Sequence, residues 1–118
     1  MLISTKENLI SVINPATEEI IFEIEKASSK EAKEKVEKAR KSFLLWSSLS
    51  IEQRINYLRK LYDLIISERD HIANTITKNN GKPLAESYLT EIAAALQVMQ
   101  YFIKKGTELL SKTTSKLD

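Results

Sequence analysis

Cysteine is missing from all 118 positions. Without a thiol the chain can form no disulfide, no thiolate nucleophile and no thiolate metal site of its own. Glycine and proline are scarce as well: Gly81, Gly106, Pro15 and Pro83 are the whole supply. A fold of many short strands needs frequent turn residues, so this scarcity points to long helices. No apolar run approaches the roughly 20 residues of a membrane span, and residues 1–6 (MLISTK) lack the apolar centre of a signal peptide. An excess of one charge is missing too. The 18 basic and 16 acidic side chains are interspersed and leave a net charge of +2, too even for a nucleic-acid or membrane surface. A soluble, cytoplasmic, single-domain protein is the expectation, and a chain of this length can bury a modest core.

What is present reads as a mainly α fold. Leu9-Ile10-Ser11-Val12-Ile13 is rich in strand formers and stops at the turn signal Asn14-Pro15. From Glu18 the chain alternates, with Ile20, Phe22 and Ile24 on one side and mostly Glu19, Glu23 and Glu25 on the other. That period of two predicts a strand with one buried face, and a two-stranded ribbon needs something for that face to rest on. Three helices follow. Ser28 with Glu31 and Ser50 with Gln53 are capping-box pairs that open the first two. Ala32, Val36, Ala39 and Phe43 form the apolar stripe of the first; Ile51, Ile55, Leu58, Leu61, Tyr62, Ile65, Ile72 and Ile76 form that of a long second helix. Asn79-Asn80-Gly81 stops it and Pro83 starts the third, whose inward side carries Tyr88, Leu89, Ile92, Leu96, Met99, Phe102 and Ile103. The expected organisation is a β-hairpin over residues 1–27, three helices, the latter two long, over residues 28–110, and a polar tail over residues 111–118.

Candidate residues for chemistry are few. Gly81-Lys82 would fit the end of a phosphate-binding loop only with glycine at 76 and Ser or Thr at 83; Ile76 and Pro83 stand there instead. His71 is the sole histidine and sits in the polar stretch Ser67-Glu68-Arg69-Asp70, so an exposed helix position is expected. Glu18, Glu19, Glu23 and Glu25 read as a solvated strand edge that discourages aggregation. The run from Lys30 to Lys38 contains opposite charges four apart, Glu31–Lys35 and Glu34–Lys38, which suit an exposed helix face. Trp46 beside Phe43, Leu44 and Leu45 is the one aromatic cluster, either a packing corner between two helices or a partner-binding patch. No catalytic, cofactor-binding or metal-ligating residue is assigned.

The order of the segments nevertheless resembles the start of the aldehyde dehydrogenase superfamily. Asn14-Pro15-Ala16-Thr17 followed by Glu19-Ile20-Ile21 is similar to the family's opening turn, with Glu18 where glycine is customary. Ala39-Arg40-Lys41-Ser42-Phe43 with Trp46 resembles the end of its first helix, and Arg54 with Leu58, Leu61, Asp63, Leu64 and Ile65 its second. Gly81-Lys82-Pro83-Leu84-Ala85-Glu86, with Glu91 beyond, is similar to its Gly-Lys-Pro junction. The resemblance covers roughly residues 8 to 110.

The resemblance implies the amino-terminal helical part of a cofactor domain, standing ahead of the family's nucleophilic cysteine, general-base glutamate and cofactor loop. Such chemistry needs a thiolate to attack the aldehyde and a nicotinamide to accept hydride. This chain is therefore expected to be a non-catalytic portion of an NAD(P)-dependent aldehyde dehydrogenase, cut before the chemistry and holding no cofactor itself. Some members bind a monovalent cation near an aspartate just before Gly-Lys-Pro, where this chain has Asn79. Expected partners are copies of itself or a complementary dehydrogenase fragment, with no nucleic acid and no membrane. The alternative is an independent helical interaction or regulatory module.

Overall fold

The computed structural model describes the backbone of residues 2–6 and 8–114 and the side chains of residues 8–110. Three strands lead, β1 (Leu2–Lys6), β2 (Leu9–Ile13) and β3 (Ile20–Glu25), paired antiparallel in that order. The hairpin read from the sequence is β2–β3. β1 is an addition to it, joined by pairs such as Leu2↔Val12 and Ile3↔Ser11.

The hairpin turn is built from its own polar groups. The Asn14 N–H donates to the Glu19 carbonyl at 2.9 Å, the Glu18 N–H to the Asn14 carbonyl at 2.8 Å, and the Ala16 N–H to Asn14 Oδ1 at 3.0 Å. Closing this loop puts Glu18 at φ 61°, the left-handed region. A β-carbon there costs roughly 1 kcal/mol or more, which is why glycine suits the position. Glu18→Gly is expected to stabilise the chain by about 0.5–1 kcal/mol, the gain being trimmed by glycine's freedom when unfolded. A urea midpoint that fails to rise would show that the turn carries no strain.

Beyond the turn the register shifts between Val12↔Phe22 and Ile13↔Ile20, so Ile21 is an extra residue in β3, a bulge. The sheet buries Val12 and Ser11, the Ser11 hydroxyl donating to the Glu23 carboxylate at 3.1 Å. The apolar face of β3 departs from expectation. Ile20, Phe22 and Ile24 remain 56%, 45% and 43% exposed, because no helix among the described residues covers them.

Both capping boxes form. At α1 (Ser29–Ser48) the Glu31 N–H donates to Ser28 Oγ, while the Ser28 N–H and hydroxyl donate back to the Glu31 carboxylate. Those bonds, the backbone one foremost, hold the Glu31 carboxyl below the usual range. At α2 (Ile51–Ser67) Ser50 and Gln53 do the same. With Glu31 engaged at the cap, the ion pairs along α1 are Lys30–Glu34 and Glu37–Arg40. No residue of α1 is buried, and its apolar stripe, Val36 and Phe43 included, faces solvent.

The long second helix of the sequence reading is divided. α2 ends at Glu68 (φ −99°, ψ 8°) and α3 (Arg69–Asn80) begins beside it. Between Ile66 and Ile72 every residue is polar, so nothing apolar ties that turn to a neighbour, and the Ser67 hydroxyl bonds the Leu64 carbonyl at 2.9 Å. α3 stops at Gly81, left-handed at φ 70°, as its sequence demands. The last helical run comprises α4 (Leu84–Glu86), a π-helical segment (Ser87–Ala93) and α5 (Ala94–Thr114), reaching into the segment read as a tail. Residues 115–118 of that tail lie outside the described residues.

The core is small. Among the described residues, Ile55, Ala73 and Ile92 are its buried apolar members in the helical part. α5 closes on α2 at Gly106, where a β-carbon would stand 3.4 Å from Ile55 Cδ1. α3 meets the π segment through a hydroxyl pair, Thr77 Oγ1 to Ser87 Oγ at 2.9 Å, with Ser87 wholly buried. The molecule is open: its radius of gyration is 19.2 Å, against about 13.5 Å for a compact chain of this length.

Candidate interaction surface

The residues weighed for chemistry are dispersed. Glu23 is engaged with Ser11, and the exposed Glu19 accepts from the Thr17 hydroxyl at 3.2 Å. His71 is exposed on α3, and no cluster of His, Asp or Glu among the described residues could hold a metal ion. The Lys82 ammonium, half-buried after the Gly81 turn, is paired with Glu91. Asn79 turns its amide back to the Thr75 carbonyl at 2.8 Å. The Tyr88 hydroxyl donates to Asp70 at 2.8 Å, and that bond pushes the phenol above its ordinary range.

The sequence motifs, in contrast, converge. The Asn14-Pro15 turn packs onto the Gly81 junction, where a β-carbon would lie 2.9 Å from Pro15 Cγ and 3.3 Å from the Ala16 nitrogen. Lys82 reaches across to Glu91 on the π segment. Trp46, at the end of α1, sets its ring 5.4 Å from that of Tyr57 on α2, and the Lys60 ammonium stands 5.8 Å from the Tyr57 ring. This is the packing corner, yet Phe43, Leu44 and Leu45 beside it are 61%, 70% and 76% exposed.

Next to that corner, α2 and α5 splay to leave a cleft of about 440 Å³ walled by Trp46, Tyr57, Leu58, Leu61 and Phe102. A second hollow, bordered by Phe43, Leu45 and Leu49, shares Trp46 and Tyr57 with it. Arg54 enters the first cleft and breaks its apolar lining. Its Nε is shielded from solvent and has no hydrogen-bond partner among the described residues. Arg54 belongs to the motif of the second helix, which by itself does not reveal this orphaned nitrogen. The signal was there: Arg54 falls in the stripe Ile51, Ile55, Leu58, at the i+3 position where an apolar residue is the rule.

The arrangement offers open apolar surface for docking. Comparison with known proteins gives it context. The model of the aldehyde dehydrogenase family matches residues 2–118. The chain belongs to the aldehyde dehydrogenase family. Glutarate-semialdehyde dehydrogenase of Pseudomonas aeruginosa is 36% identical over 104 residues, 88% of this chain and 21% of that enzyme. Betaine aldehyde dehydrogenase of Vibrio vulnificus is 34% identical over 92 residues, 78% of this chain and 19% of that enzyme. Among solved structures, an aldehyde dehydrogenase from Bartonella henselae superposes with a TM-score of 0.81 at 25% identity, covering 88% of this chain and 22% of that one. Betaine aldehyde dehydrogenase from Staphylococcus aureus, solved with NAD+, does so at 0.76 and 30% identity, over 86% and 20%. The chain thus spans about a fifth of the length of these relatives. The family's strands-then-helices order is the one seen here, and no helix among the described residues is long and apolar enough to cross a membrane.

Proposed function

We propose that this chain is an amino-terminal packing portion of an NAD(P)-dependent aldehyde dehydrogenase, and that it oxidises no aldehyde by itself. One observation carries the reading: the fold leaves far more surface open than a self-sufficient domain does. Its accessible area is 9424 Å², whereas a compact monomer of 13.5 kDa exposes roughly 6,500 Å². Much of what is open is apolar, on β3, α1 and the cleft, and each square ångström of such surface covered is worth roughly 25 cal/mol. The absence of cysteine supports the second half, since the family's thiolate cannot come from this chain. The partner is a complementary dehydrogenase polypeptide in the cytoplasm, where a catalytic thiol stays reduced; that polypeptide would hold the nicotinamide, and this chain holds no cofactor.

The purified chain, mixed with NAD+ or NADP+ and with betaine aldehyde or glutarate semialdehyde, is expected to give no nicotinamide reduction above the protein-free rate. Turnover in that assay would overturn the reading. The exposed Phe43-Leu44-Leu45 patch favours one other outcome, a helical module that docks on copies of itself. Sedimentation separates the two: a concentration-dependent oligomer of the isolated chain supports the module, a monomer that binds an apolar dye supports the packing portion.

A further inference from the structure

We propose that the Arg54 cleft is a docking site for a carboxylate side chain carried on an apolar stretch of the partner polypeptide. The proposal deepens the packing reading above by naming the chemistry of what docks.

Arg54 Nε is the one buried side-chain nitrogen or oxygen lacking a hydrogen-bond partner among the described residues. Other polar groups along the helical seam are matched: Thr77 with Ser87, Tyr88 with Asp70, Lys82 with Glu91. No carboxylate pairs with the Arg54 guanidinium among the described residues. A guanidinium is a planar cation with five N–H donors and no acceptor. Around it the walls are aromatic and aliphatic: Trp46, Tyr57, Leu58, Leu61 and Phe102.

These facts constrain the occupant. Arg54 is half-buried with its Nε already shielded, so a body that fills the cleft takes more of the guanidinium from water. A purely apolar occupant would leave a buried, unpaired cation, which is among the costliest arrangements available to a protein. A neutral acceptor would satisfy the N–H donors but not the charge. A carboxylate does both, and the planar guanidinium matches it with paired hydrogen bonds. The occupant is therefore apolar with one anionic carboxylate.

Continuity of the surface makes it a polypeptide. The cleft and the second hollow share Trp46 and Tyr57, so one apolar surface runs from Phe102 on α5 to Phe43 and Leu45 on α1. The exposed area exceeds that of a compact monomer by about 2,900 Å². A standard protein interface covers about 800 Å² on each partner, well within that excess. A small ligand would cover only the cleft and leave the rest open.

Trp46 is the sole tryptophan and forms a wall of the cleft, so its fluorescence reports occupancy directly. The probes are an acetylated, amidated peptide Ala-Leu-Phe-Glu-Leu-Ala-Lys, its Glu-to-Gln counterpart, and hexanoate. The Glu peptide is expected to bind the intact chain about tenfold more tightly than the Gln peptide. Arg54→Met keeps the apolar stem and removes the charge; with its circular dichroism unchanged, it should bind both peptides alike. Equal affinities for the two peptides on the intact chain, or binding of neither, would overturn the proposal. So would hexanoate binding as tightly as the Glu peptide, which would assign the site to small carboxylates. A dimer abolished by Arg54→Met would assign it to a second copy of this chain instead. The peptide titration can fail while the aldehyde assay stays silent, so the failure of this proposal and that of the packing reading are told apart.

Discussion

Replacing Ala73 with aspartate is expected to destabilise the helical part by about 3–5 kcal/mol, the usual cost of an uncompensated buried charge. Ala73 has no solvent exposure at all. It lies on α3 between Asp70 and Thr77, three and four residues away on the same face, and those two bond Tyr88 and Ser87. The Ala73 side chain therefore sits in the seam between α3 and the π segment. A carboxylate there would be taken from water with no cation assigned to it, and its extra atoms would push the two elements apart. Because the core is so small, the loss is a large share of the total stability. Ala73→Ser is the control: its hydroxyl can bond back to the carbonyl four residues earlier, as Thr75 does to His71 at 2.9 Å, and should cost about 1 kcal/mol. Urea unfolding followed by circular dichroism measures both. Equal midpoints for the two variants would mean that the seam is loose enough to admit a charge.

The second large effect is expected at Gly81. Valine there should cost about 3 kcal/mol, from two separate causes. The first is conformation: at φ 70° a β-carbon crowds its own carbonyl, by roughly 1–2 kcal/mol. The second is contact, since that carbon would meet Pro15 Cγ at 2.9 Å, and a proline ring held in a hydrogen-bonded turn cannot swing aside. The two are separable. Asparagine tolerates the left-handed region yet still carries the β-carbon, so Gly81→Asn isolates the contact. Pro15→Ala removes Cγ, and combined with Gly81→Ala it should recover about 1 kcal/mol relative to the summed single losses. A fully additive double mutant would show that the hairpin turn does not bear on the helix junction. The cycle thus tests a joint between sheet and helices, where two sequence motifs 66 residues apart come together.

What could be read beforehand was whatever depends on near neighbours. The caps at Ser28 and Ser50, the stop at Gly81 and the β2–β3 hairpin each involve residues a few positions apart, so their spacing carries the information. The division at Glu68 was half legible: the polar gap was visible, but a gap alone does not say whether a helix bridges it. β1 was not legible, because five residues become a strand here only by pairing with β2. The face of Ile20, Phe22 and Ile24 misled for a related reason. Alternation announces that a face is fit for burial and says nothing about whether this chain supplies the cover.

The sequence by itself determined the family, through motifs in order, and determined that no thiol chemistry can originate in this chain, through composition. Both follow from which residues are present. Only the tertiary structure decided that the Pro15 turn closes on Gly81, that no residue of α1 is buried, and that Arg54 Nε finds no partner among the described residues in an apolar cleft. Those depend on how separated segments meet in space, and on whether a neighbour arrives to satisfy a charge, which no local pattern of residues encodes.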